Sequence, residues 1–328
     1  MKVNAALALI ILIAVTTDYA FSDVPLPFAP QPLGLHLSAG IGRLGGENQF
    51  EIGKWFRDVD GNREDVHFPL SRLEYPLEVF MLNIAARYHI NEQLSISAGI
   101  AKNITTDSDK VIDSDWGVLF DNPNSLDIYS ESDHDLDALF LDLGIRYRFM
   151  ERDRFSLSAG AGYLYQQFDS ESSNLHQTYP SVRAALGFWY NTLWGDDFVD
   201  GKVKTYEVTH SIPYLELAGH FRLTENVTIE GQFGYSPIAS AKDEGNWLLR
   251  GLKFEGDFDG SAMLFGIKAK LDLQNRMEGW FITAGMDLVE ISTDGDSKAY
   301  FNGIYDHTIY QETTSSMQHF SVSMGKHF

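Results

Sequence analysis

The sequence predicts an all-β fold, a transmembrane antiparallel up-and-down barrel of ten strands with five long external loops. Three observations predict it. Apolar residues recur at every second position in ten separate segments, the periodicity of strands with one apolar face. The connectors between them alternate short and long, as in barrels with tight turns at one rim and loops at the other. The alternate positions carry charges such as Asp142, Arg146, Glu216, Arg222, Glu230, Lys268 and Lys270, which suits a wet lumen and not the dry core of a soluble sandwich. A lipocalin-type barrel or a sandwich would point its apolar rows inward.

The chain begins with Lys2, an apolar run from Ala5 to Val15, and Ala20-Phe21-Ser22 before Asp23. This pattern predicts a secretory signal peptide over 1–22. The run is too short to span a bilayer, which takes about 20 apolar residues. Residues 23–328 are then a single exported barrel domain. A Pro-rich lead (Pro25, Pro27, Pro30, Pro32) precedes the first strand, in which Leu33, Leu35, Leu37, Ala39 and Ile41 alternate with Gly34, His36, Ser38, Gly40 and Gly42.

The second strand runs from Arg72 to Tyr88, with adjacent Val79 and Phe80 breaking its phase at a bulge. The third carries Leu94, Ile96, Ala98 and Ile100, the fourth runs from Leu139 to Phe149, and the fifth from Phe155 to Tyr165. The second half repeats the pattern from Leu215, Val227, Met263, Trp280 and Phe320 onward, and the chain ends on Phe328. Short links fall at 91–92, 151–153, 224–226 and 274–276, and long polar links at about 45–68, 102–136, 167–208, 237–260 and 292–315. Ten tilted strands enclose a lumen that side chains largely fill, so a general diffusion pore is not expected. Function then lies in the external loops.

Composition narrows the partners. Lys and Arg number 25 against 46 Asp and Glu, for a formal charge of −21. Nucleic-acid binding needs a basic face and is excluded as an expectation. With no cysteine in the chain, disulfides, thiol catalysis and Cys-based zinc sites are excluded. The mean hydropathy of −0.19 is far from that of a helical membrane protein. No cofactor or metal is expected, and the spacing of the loop acids does not match an EF-hand.

The second long link carries Asp107, Asp109, Asp113, Asp115, Asp121, Asp127, Glu131, Asp133 and Asp135 against Lys102 and Lys110. Within VIDSDW, Asp113 and Asp115 stand two apart, so in an extended segment both carboxylates point to one face. Such a pair raises one pKa and can hold and activate a water. A solvated acidic loop would show the same residues. His134 lies near the far end of this link.

The chain resembles the omptin family, ten-stranded outer-membrane proteases of Gram-negative bacteria. VIDSDW (111–116) is similar to the family's Asp-x-Asp-Trp segment. Asn122-Pro123, Glu131-Ser132-x-His134, Ile212-Pro213-Tyr214, Tyr235-Ser236 and Tyr305-Asp306-His307 follow in order. The resemblance implies localisation in the bacterial outer membrane, contact with its lipid, and an endopeptidase in which an Asp pair and an Asp-x-His dyad activate a water beside a basic substrate residue. Asp113 and Asp115 would be the Asp pair, and Asp243 falls on an acidic substrate-pocket position with Glu244 next to it.

The resemblance fails at the dyad, whose Asp and His fall on Gly245 and Trp247. The segment 237–260 contains no histidine. Proteolysis is therefore expected to be lost or altered. Carboxylates alone could act at lower pH, with Asp113 beside Asp243 or Glu244, or His134 or His307 could reach the cleft. The lipopolysaccharide site is not matched either, because Tyr163 is kept while Tyr165, Gln167 and Thr209 replace charged side chains. The alternative reading is a non-catalytic surface barrel for adhesion, peptide binding or envelope structure. Cationic peptides or proteins are the expected partners of the acidic loops, Trp55, Phe56, Trp194, Trp247, Tyr300 and Phe301 are candidate contact aromatics, and a monomer is expected.

Overall fold

A computed structural model describes residues 34–120, 122–273 and 277–328. The predicted signal peptide, the Pro-rich lead, Leu33 of the predicted first strand, Asp121 and the predicted short link 274–276 lie outside the described residues. Ten staves form one closed antiparallel ring. Eight are single strands: β1 (Gly34–Arg57), β7 (Leu126–Arg152), β8 (Phe155–Thr178), β9 (Asp197–Arg222), β10 (Val227–Trp247), β11 (Leu252–Asp272), β12 (Trp280–Phe301) and β13 (Ile304–His327). The other two are broken in the middle. β3 (Ser71–Pro76) continues as β4 (Val79–His89), and β5 (Leu94–Asn103) is continued above by β6 (Val111–Trp116). A three-residue strand, β2 (Arg63–Asp65), pairs with the tip of β1.

Pairing of β1 with β13, from His36↔His327 to Arg57↔Thr308, closes the ring. Closure leaves no unpaired edge in lipid. The phase break at Val79-Phe80 marks a real interruption: β3 pairs with the upper part of β1 and β4 with its lower part, and Leu77-Glu78 joins them.

The strands are much longer than a bilayer requires. The five long links of the sequence are mostly strand, carrying the barrel well above the lipid belt. A helical turn, α1 (Pro180–Leu186), continues through a 3-10 turn (Gly187–Trp189) and a short helix, α2 (Tyr190–Leu193), to cap the β8–β9 connection.

The polarity of the alternation inverts at the top of the belt. On β7, Leu139, Leu141, Leu143, Ile145 and Tyr147 face outward, and Asp142 and Arg146 face the lumen. Higher on the same strand, Asp133, Asp135 and Asp137 face outward while His134, Leu136 and Ala138 are buried. The reason is the change of solvent: below, lipid is outside and charge must go inward, whereas above, water is outside and the lumen can be dry.

The lumen is filled in both halves. In the membrane half Arg146 bonds Glu216 at 2.8 Å and Glu230 at 2.5 Å, Arg87 stands 3.4 Å from Glu230, and the Tyr214 hydroxyl donates to Asp142 at 2.8 Å. Above it lies an apolar plug that includes Phe50, Leu73, Tyr75, Phe168, Tyr206 and Phe258. Among the described residues no helix is long and apolar enough to cross a membrane; the strands do so.

Candidate functional site

The upper mouth of the barrel is built by the inward rows of β6, β9 and β10. On β6, Asp113 lies opposite Leu73 of β3 and Ser130 of β7, and Asp115 lies opposite Ser71. Two-residue spacing sends both carboxylates inward, as the sequence pattern requires. Across the mouth, Lys204 of β9 is paired in register with Trp247 of β10, and Tyr206 with Gly245.

Lys204 is the residue that sequence reading missed. It lay inside a stretch read as loop, yet Lys204, Tyr206 and Val208 share period two and are all buried. Its ammonium donates to Asp113 Oδ2 at 2.8 Å and lies 5.7 Å from the Trp247 ring. The ammonium is a compact point charge that neutralises one member of the Asp pair from inside the chain.

Asp115 is left with a raised pKa, about 7. Burial is the main cause and the neighbouring Asp113 charge the next, opposed by a Ser71 hydrogen bond and by the Arg250 and Lys204 charges.

Beside Lys204, Trp247 and Gly245 pack as one unit. A Cβ placed on Gly245 would come within 2.7 Å of Trp247 Cζ3, so the indole occupies the space that a side chain at 245 would need. Trp247 is further held by Phe254 at 4.8 Å and Phe50 at 6.4 Å between ring centroids.

The other sequence-predicted residues separate. Asp243 does face inward beneath the mouth: it is buried and accepts from Tyr206 Oη at 3.1 Å and Gln311 Nε2 at 2.6 Å. Burial raises its pKa to about 6 against those two hydrogen bonds and one from the Gly256 backbone.

Glu244, one residue on, points to the outside, where Lys253 holds it at 2.9 Å and pulls its pKa down. It does not share the pocket with Asp243. His134 stands in the buried row of β7, four residues along from Ser130, the register partner of Asp113. That is about 13 Å along the strand. Its ring meets Tyr75 edge-on at 5.8 Å, and burial pushes its pKa down to about 4, opposed by a hydrogen bond with the Asp109 backbone.

His307 sits at the rim, 2.8 Å from Asp306 and edge-on to Phe254 at 6.5 Å. Between the two Asp-bearing levels stand Tyr75 and Tyr206, stacked at 4.6 Å and both buried. Burial raises both phenols well above their usual range, helped by Asp113 and Asp243 at Tyr75 and by Asp243 at Tyr206. The mouth thus holds an Asp pair, an internal cation and an aromatic floor, while the nearby His67 ring is held by the Trp116 carbonyl at 2.9 Å. Among the described residues no group of three or more His, Asp or Glu side chains is arranged to hold a metal ion.

Outside, the same strands carry a row of acids in direct register. Asp137 faces Asp169, Asp169 faces Glu207, Glu207 faces Glu244 and Glu244 faces Glu255. Like charges placed directly opposite on neighbouring strands repel. Lys102 pairs with Asp137, and Lys253 with Glu244 and Glu255, at the ends of the row. Near its middle, burial and the charges of Asp169 and Glu244 raise the Glu207 pKa.

Comparison with known proteins agrees with this architecture. A search of curated proteins finds no match. Among solved structures, the outer membrane protease OmpT from Escherichia coli superposes with a TM-score of 0.70 at 15% identity, covering 93% of this chain and 100% of that one. The outer membrane protein OprG from Pseudomonas aeruginosa gives 0.39 at 11% identity, covering 93% and 100%. The autotransporter NalP translocator domain from Neisseria meningitidis gives 0.36 at 12% identity, covering 91% and 90%. The profile of the Omptin family matches residues 31–325, nearly the whole of the barrel just described. The chain therefore belongs to the omptin family and is a β-barrel of the bacterial outer membrane.

Proposed function

We propose that this barrel is a non-hydrolysing omptin, a cell-surface protein that engages cationic peptides or proteins without cutting them. The observation that carries this reading is the Lys204–Asp113 ion pair beside Trp247. A water attacking a peptide bond near neutral pH needs a base, and imidazole is the suited group. Trp247 and Gly245 take the space of such a base, and Lys204 takes up the Asp113 carboxylate that would orient the water. The other histidines of the upper barrel are engaged elsewhere: His134 packs on Tyr75, His307 on Asp306 and Phe254, His67 on the Trp116 carbonyl, His176 on Phe198 and His210 on Phe168.

The formal charge of −21 and the outward acid row running from Asp137 to Glu255 support attraction of cationic segments to the upper wall. Titration of an Arg/Lys-rich peptide into the detergent-solubilised barrel tests this reading. Binding that weakens as salt rises, with the peptide recovered intact by mass spectrometry, is the expected result. Absence of binding at low salt, or cleavage beside Arg or Lys, overturns it.

A further inference from the structure

The connection between β8 and β9 carries a feature that the mouth does not use. Residues 184–195 read AALGFWYNTLWG, twelve consecutive uncharged residues in a chain of formal charge −21. They form the segment α1, Gly187–Trp189 and α2, and its two faces differ sharply. One face is anchored: Val182 and Tyr190 are buried, the Tyr190 hydroxyl donates to Asp196 at 2.8 Å, and Arg183 makes a two-pronged pair with the same carboxylate at 2.8 and 3.0 Å.

The other face presents Phe188, Trp189, Leu193 and Trp194 to water. Phe188 is 89% exposed, the most of any large apolar side chain among the described residues. Asp127 of β7, the strand against which α1 packs, accepts from the Leu119 amide at 2.7 Å and from the Phe120 amide at 3.3 Å. Leu119 and Phe120 are also exposed.

We propose that this crest inserts into an apposed, electrically neutral lipid surface. Exposure argues for lipid: these four side chains stand 56–89% exposed, protruding from the segment, which suits a fluid surface better than a complementary protein pocket. The residue types agree, since Trp, Phe and Leu on one face of a short helical segment bury into the headgroup–acyl boundary.

Charge selects the lipid. The crest has no cation of its own, Arg183 is taken by Asp196, and Asp197 and Asp200 stand close by, so an anionic surface would repel it. Height excludes the barrel's own bilayer. From Tyr163 in the belt to Thr178, β8 rises by roughly 35–40 Å at about 3.3 Å per residue and a tilt near 40°.

The full barrel in nanodiscs of unlabelled lipid, mixed with phosphatidylcholine vesicles containing brominated phosphatidylcholine, tests the proposal. Co-flotation with the vesicles and quenching of tryptophan fluorescence are expected. The F188S/W189S/W194S variant should retain the heat-modifiable mobility of a folded barrel and lose vesicle partitioning by at least about tenfold. The single variant F188S, at the most exposed of these side chains and with its ring against Trp189, should give a smaller loss in the same direction. Absence of co-flotation, equal partitioning of wild type and variant, or binding confined to phosphatidylglycerol vesicles overturns it.

Discussion

The Trp247 indole lies over Gly245 so closely that a β-carbon there would stand 2.7 Å from Cζ3. The two positions at which an omptin dyad would be expected are therefore occupied by a pair that depends on one another. G245A in the wild-type background should overpack the mouth and cost about 1–3 kcal/mol. In the W247H background the same substitution should cost less than half as much. Denaturant unfolding of the four proteins in micelles, arranged as a double-mutant cycle, reads the difference.

Lys204 and Asp113 are bonded at 2.8 Å with side chains only 5% and 18% exposed. K204M should leave a carboxylate without its cation and destabilise the barrel by about 2–3 kcal/mol. K204M/D113N should recover most of that loss, because no uncompensated charge remains. Urea midpoints for both variants and wild type check the ordering.

Asp115 and Asp243 have pKa values raised to about 7 and about 6, above the unfolded carboxyl value of about 4. The native state therefore holds more protons than the unfolded state between these limits. The stability they contribute is complete below about pH 4 and is lost as pH rises through about 6 and 7. His134 acts in the opposite sense: its lowered pKa of about 4 gives stability above pH 6.5 that is lost as pH falls toward 4. Subtracting D115N/D243N from wild type isolates the carboxyl contribution. The difference in unfolding free energy should decline from pH 5 to pH 8.

Arg146 joins Glu216 and Glu230 across the lumen of the membrane half, and the apolar plug lies above it. Purified protein in planar bilayers should show no stepwise conductance. R146M should cost about 3 kcal/mol in stability by stranding the two glutamates. Denaturation of wild type and variant, alongside current recordings, checks both expectations.

The ten staves were legible because lipid imposes one rule on every strand, apolar outward, and residues such as Leu139 to Tyr147 obey it without interruption. The upper strands were read as polar links because that rule reverses above the belt. There Leu136, Tyr206 and Val208 turn inward and Asp135, Asp137 and Glu207 turn outward. Asp113 and Asp115 were legible from their spacing and from the resemblance. Lys204 was not, since its role depends on a partner that is 91 residues away in sequence and meets it only across the closed mouth. The separation of Asp243 from Glu244 follows from strand alternation once β10 is known to continue to Trp247. The sequence pattern places His134 in a loop, whereas β7 buries it in the plug.

A non-hydrolysing omptin has an Asp pair that does not activate water. Hydrolysis of an Arg-containing fluorogenic peptide by the folded barrel, followed from pH 4.5 to 8 for wild type and D113N, tests it most directly. No turnover above the protein-free rate is expected from either protein at any pH. Turnover by wild type that D113N abolishes would contradict it.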